Sequence, residues 1–151
     1  MRVAIILDGL LCDTHALQTE WKRRIGDDSF LKDEAFWAAQ QPYDDVTDFG
    51  DAIRGKGWEL YLFVERSRSF MLVTRSWVRR KAGLTFPKEN VIMQALKRYD
   101  ARLHEIDVVI TGDPADLDSF KTEAVRPVAV YCCDRSQGEN LLDTLQQIAE
   151  R

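Results

Sequence analysis

Histidine, cysteine and proline are scarce in this chain of 151 residues, and each scarcity removes a class of protein. The two histidines, His15 and His104, stand alone, and no C-x-x-C pair or His/Cys cluster occurs, which argues against a structural zinc site. The three cysteines, Cys12, Cys132 and Cys133, cannot all pair, and sequence neighbours rarely bridge each other, so reduced thiols are expected. No apolar run approaches the roughly 20 residues of a membrane span. The opening stretch from Met1 to Leu7 stops at Asp8, short of a signal-peptide core, so a soluble cytoplasmic protein without membrane partners is expected. An excess of positive charge is also missing. The 21 basic and 25 acidic residues leave a net charge of -4, which argues against a nonspecific nucleic-acid coat but allows a local basic pocket. Repeats, low-complexity tracts and linkers are absent, and Pro42, Pro87, Pro114 and Pro127 sit where loops would be, so residues 1–151 read as one domain.

What is present alternates between two periods. Four short β-branched and apolar runs, at 3–7, 59–64, 107–111 and 128–131, read as strands buried on both faces. Helical spacing begins with Leu17, Trp21 and Arg24, and returns with Phe70, Val73, Trp77 and Val78 ahead of a stop at Gly83. Further helices are expected at 96–103, 117–125 and 140–149. Strands alternating with helices predict an α/β, Rossmann-like three-layer domain with a parallel sheet. Ligands of such folds bind beyond the carboxyl ends of the strands. The segments to inspect are therefore Asp8 to Asp13, Glu65 to Ser69, Gly112 to Asp116, and Cys132 to Arg135.

The run Ile5-Ile6-Leu7-Asp8-Gly9-Leu10-Leu11-Cys12-Asp13-Thr14 resembles the first motif of the haloacid dehalogenase (HAD) superfamily. Gln41-Pro42-Tyr43-Asp44, Gly57 to Ser67, Thr74-Arg75-Ser76-Trp77-Val78 with Ala82-Gly83-Leu84, and Ile110-Thr111-Gly112-Asp113 are similar to the phosphatase domain of bacteriophage polynucleotide kinase-phosphatase. The resemblance covers nearly the whole chain. It implies a HAD-like fold with a small helical cap inserted at about 28–45. It also implies that four functional positions have changed: Ile6 stands where the family attacks phosphorus, Val64 where it has a hydroxyl, Met93 near its lysine, and Gly112 where it has a metal carboxylate. Isoleucine has no lone pair to attack with. Asp8 and Asp113 then remain as degenerate remnants, with no catalytic residue, no metal site and no cofactor expected.

The positive charge that would face a phosphate survives. From Arg66 to Lys81 the chain carries Arg66, Arg68, Arg75, Arg79, Arg80 and Lys81 with no acidic residue between them. The last three suit a solvated helix end, where the macrodipole favours cations. Arg66 and Arg68 follow a strand, and guanidinium forks grip phosphate bidentately. Arg66, Arg68, Thr74, Arg75 and Asp8 are the expected ligand-binding residues, with Trp37 and Tyr43 of the insert stacking on bases.

These residues and the resemblance together predict a catalytically inactive phosphatase relative that sequesters nucleotides or cyclic oligonucleotides. The resemblance to a phage enzyme suggests a viral sponge acting in the host cytoplasm against nucleotide immune signals, with a homodimer as a further arrangement. A second expectation is a protein-interaction inhibitor of a host factor, using exposed Phe30, Leu31, Phe36, Trp37 and Tyr43. A third is an active Mg²⁺-dependent phosphatase or phosphodiesterase that uses Asp8 as general base among Asp13, Asp113 and Asp116. Against it, Asp8 and Asp13 also suit caps of the turn and of a helix near Thr14.

Overall fold

The computed structural model describes residues 1–120 and 127–150. The central strand β1 (Arg2–Ile6) shows why the chain folds as it does. Its side chains alternate between two faces. Val3 and Ile5 enter the larger apolar cluster, whereas Ala4 and Ile6 enter a smaller one. A strand with no polar face must be covered on both sides, and the flanking strands share the same composition. β2 (Glu59–Phe63) and β4 (Val108–Thr111) pair with β1, while β3 (Val91–Ile92) and β5 (Ala129–Cys132) close the two edges. All pairings are parallel, in the order β3-β2-β1-β4-β5.

The larger cluster gathers the inner faces of α3 (Val46–Arg54), α4 (Met71–Ala82) and α7 (Leu141–Ala149). It also takes Phe36 and Trp37 of the short α2 (Glu34–Ala38) and packs against Leu17 and Trp21 of α1 (Thr14–Ile25). The opposite face is covered by Ala101 of α5 (Lys97–Leu103) and by Phe120, which follows α6 (Ala115–Ser119). This is the expected three-layer Rossmann-like arrangement. No helix among the described residues is long and apolar enough to cross a membrane.

Several boundaries match the sequence. Asp13 accepts a hydrogen bond from Ala16 N–H and caps α1, Gly83 ends α4 in the left-handed conformation, and Asn140 caps α7. Two elements go beyond the expected set. The edge strand β3 is only two residues long, and α3 occupies residues for which no helix was expected. Gly50 lies in the middle of α3, where a Cβ would stand 1.8 Å from the Ala82 carbonyl oxygen of α4. Close approach of the two helices requires glycine there, at the expense of helix propensity. The helix expected at 117–125 is described only as α6, since residues 121–126 lie outside the described set.

Candidate functional site

The strand order reverses between β1 and β4, so the crevice of this fold opens beyond the carboxyl ends of those two strands. Gly112 brings their following loops together. A Cβ at this position would stand 2.4 Å from the Gly9 carbonyl oxygen and 3.0 Å from the Leu10 nitrogen, so no larger residue fits without moving the backbone. The loop after β1 is thereby held over the end of β4.

Asp8 heads that loop, and its carboxylate is already engaged. Arg66, which follows β2, donates from Nε to Oδ2 at 3.2 Å and from Nη2 to Oδ1 at 2.6 Å. The Thr14 hydroxyl donates to Oδ1 at 2.7 Å. Arg66 also donates from Nη1 to the Thr74 hydroxyl at 3.2 Å, and its guanidinium carbon lies 4.4 Å from the centre of the Trp37 ring. The Arg66 side chain is 2% exposed, whereas that of Asp8 is 25% exposed. A guanidinium this deep requires an anion beside it. Arg66, expected to face a ligand, therefore meets Asp8, Thr74 and Trp37, residues expected to share that ligand. Trp37 is further fixed by donating from Nε1 to the Leu31 carbonyl at 3.0 Å.

A second internal pair closes the other side. Lys97 Nζ lies 3.0 and 3.2 Å from the two Asp116 oxygens and 3.2 Å from Glu65 Oε1. The buried Thr111 hydroxyl also donates to Asp116. Burial tends to lower the Lys97 pKa, but the Asp116 hydrogen bond and the charges of Asp116 and Glu65 outweigh it and hold the pKa above its ordinary value. Met93 is buried in the larger core, so the cation at this edge comes from Lys97, at the start of α5. Asp113 is exposed and accepts from Ala115 N–H at 3.0 Å, within its own turn.

Tyr43 belongs to a third cluster. The Arg135 guanidinium lies 4.3 Å from its ring centre and holds both Asp45 oxygens, at 2.6 and 2.7 Å. Asp45 also accepts from Leu141 N–H, and Arg135 donates to the Leu10 carbonyl. This clamp joins the start of α3, the turn after β5 and the start of α7. Sequence reasoning missed it, because partners 90 positions apart carry no local signal. Arg68 and Arg75 lie elsewhere again, lining a groove of about 590 Å³ with Lys88 beside β3. The expected ligand set is thus divided among three places.

The insert turns its aromatic residues inward. Phe30, Phe36 and Trp37 are 3%, 0% and 8% exposed, and Trp21, Phe30 and Phe36 have mutual ring distances of 4.9 to 5.9 Å. An exposed aromatic patch, the basis for expecting a protein partner here, is not what these residues form. The insert is tied down at its end as well, since Trp77 Nε1 donates to the Gln40 carbonyl at 2.8 Å.

The Mg²⁺ of the resembled family does not fit this donor set. Asp8 is held by Arg66, Asp116 by Lys97, and Ile6 and Gly112 offer no oxygen side chain. Among the described residues no three His, Cys, Asp or Glu side chains converge as a metal-ligating group. The thiols are not activated either. Burial, with Asp8 beside it, pushes Cys12 up to about 12, and burial with Asp134 nearby pushes Cys132 up to about 11.

Comparison with known proteins shows the fold. No family model matches the chain, and no curated protein does. Among solved structures it is similar to a class C acid phosphatase from Bacillus anthracis, at TM-score 0.63 and 18% identity over 97% of this chain. The same enzyme with tungstate bound matches equally well. A hydrolase from Streptococcus pneumoniae TIGR4 matches at TM-score 0.59 and 13% identity, covering 99% of this chain and 98% of that one. The chain spans about three fifths of the acid phosphatase chains, 61% and 62% of their lengths. The fold is therefore one shared with a class C acid phosphatase and a hydrolase.

Proposed function

We propose that this chain is a HAD-like protein without phosphatase chemistry that binds and sequesters nucleotides or oligonucleotides, cyclic ones included, as a viral sponge against nucleotide signals would. One observation carries the reading. The chain's own cations neutralise the carboxylates a phosphatase would need, Asp8 through Arg66 and Asp116 through Lys97, while Ile6 occupies the nucleophile's place. Phosphoryl transfer relies on positioning and charge stabilisation around the transferred group. With the nucleophile gone and the carboxylates paired internally, neither remains. Cations outside those pairs, Arg68 and Arg75 among them, support anion binding without turnover. A protein that needs no product release is free to bind its ground-state ligand tightly.

The test pairs two assays on the same preparation. Release of inorganic phosphate from p-nitrophenyl phosphate and from 3′-phosphorylated oligonucleotides, with and without Mg²⁺, should stay at the blank. Equilibrium titration with linear and cyclic nucleotides should show saturable binding at micromolar concentrations. Mg²⁺-dependent turnover that disappears in Asp8→Asn would return the chain to the enzymes, and the absence of any nucleotide binding would remove the sponge.

A further inference from the structure

A row of positive charge lies along one side of α4, away from the crevice between β1 and β4. Arg68, Leu72, Arg75 and Arg79 recur at helical spacing and share a face. Two adjoining hollows, of about 590 and 370 Å³, both include Leu72 and Arg75 in their walls. Arg68 and Lys88 line the first, between α4 and β3, and Arg79 lines the second. No carboxylate side chain lines either hollow, although acidic residues outnumber basic ones in the chain. Among the described residues none of these four cations makes an ion pair, and the one contact of Arg75 is a 3.5 Å hydrogen bond to the Phe86 carbonyl. Leu72, in the middle of this row, is 77% exposed.

The hollow beside α5 also holds cations, but Glu65 is in its wall and Lys97 is already paired there. The α4 face combines unpaired cations with an apolar lining of Met71, Leu72 and Ile92.

We infer that this trough seats the phosphodiester backbone of a short linear or cyclic oligonucleotide, with Arg68, Arg75, Arg79 and Lys88 on its phosphates and a base over Leu72. The inference rests on the nucleotide-binding reading above and moves the seat from the strand ends to the α4 face. Arg75 and Arg79 stand one turn apart, about 6 Å of helix rise, which suits neighbouring phosphates of an unstacked strand. Guanidinium forks hold phosphate oxygens bidentately, and their planes also stack on bases. A single phosphate would engage only one or two of the four cations, so the row favours a ligand with several phosphates.

The test uses a fluorescein-labelled oligothymidylate of about ten nucleotides, a cyclic dinucleotide, thymidine monophosphate and polyglutamate. Each is titrated into the wild type, the triple variant Arg68→Gln/Arg75→Gln/Arg79→Gln and the single variant Lys81→Gln. All three substituted arginines are solvent-facing or half-buried, so the variant should keep the wild-type fold, which circular dichroism checks before titration. For the wild type, the logarithm of the binding constant should fall with the logarithm of salt at a slope of about -2 to -3, since each single-strand phosphate neutralised contributes about -0.7. The triple variant should bind at least tenfold more weakly, with a slope flatter by about 2, while Lys81→Gln stays near wild type. If the wild type binds oligonucleotide and the triple variant binds it equally well, the trough is overturned while nucleotide binding stands. If the wild type binds no nucleotide, both fail. Polyglutamate binding in place of oligonucleotide, lost in the triple variant, overturns the ligand class and assigns the face to an acidic protein.

Discussion

Replacing Arg66 by Met perturbs the chain where its own charges meet. The substitution keeps most of the apolar stem but leaves Asp8 with only Thr14 as a close donor and removes the cation from the Trp37 ring. Breaking a buried ion pair on one side costs about 3–5 kcal/mol, because the remaining charge loses its partner. The Asp8 side chain is 25% exposed and regains some hydration, which places the loss at the lower end, about 3 kcal/mol. For a chain of this size that corresponds to a fall in Tm of roughly 6–12 °C. Urea unfolding followed by tryptophan fluorescence measures it directly. The double variant Asp8→Leu/Arg66→Met removes both charges and should recover much of the loss, since apolar replacement of a buried pair is often close to neutral. A loss under about 0.5 kcal/mol for Arg66→Met, or a double variant as unstable as the sum of its singles, would refute the argument that the two groups neutralise each other.

Three further outcomes follow from the same geometry. Gly112→Ala should destabilise by about 1–3 kcal/mol in thermal unfolding, because its Cβ meets the Gly9 backbone, and Gly112→Asp should lose stability without gaining Mg²⁺-dependent turnover; a stable, metal-activated Gly112→Asp contradicts the close approach. Burial pushes the Asp45 pKa up, but hydrogen bonds from Arg135 and Leu141 N–H with the Arg135 charge outweigh it and hold it below the ordinary carboxylate value. A lowered folded pKa stabilises above the unfolded value, near 3.9, and that stability is lost as pH falls through the folded pKa. Asp45→Asn should therefore be less stable than wild type at pH 7, with the deficit narrowing below about pH 4 in urea titrations, and an equal deficit at both pH values contradicts the assignment. Cys12, at about 12, and Cys132, at about 11, should resist iodoacetamide at pH 8 in the native protein and react on unfolding, as mass spectrometry would show; rapid native labelling of Cys12 contradicts its burial.

The layers of the fold were legible because β1, β2, β4 and β5 carry uninterrupted apolar runs, which only a sheet covered on both faces accommodates. The helix α3 was not, although Val46, Phe49 and Ile53 repeat on one face, because Gly50 weakens the local signal for the sake of a tertiary contact. The two-residue β3 carries too little sequence to show a period. At the site, the residue types were legible and their partners were not. Arg66 follows a strand in the manner of a phosphate-binding arginine, yet its orientation depends on Asp8, 58 positions earlier. Lys97 reaches Asp116 only because α5 begins beside β4's following turn, a fact of three dimensions. The clamp of Arg135 on Asp45 had no local signal at all.

The most direct test of sequestration without turnover mixes the purified protein with linear and cyclic oligonucleotides, with and without Mg²⁺, removes the protein by filtration, and then heats it to release what it held. A sequestering protein removes ligand from the filtrate and returns it chemically intact after denaturation, equally with and without Mg²⁺. Ligand recovered dephosphorylated or cleaved would contradict sequestration and restore an enzyme.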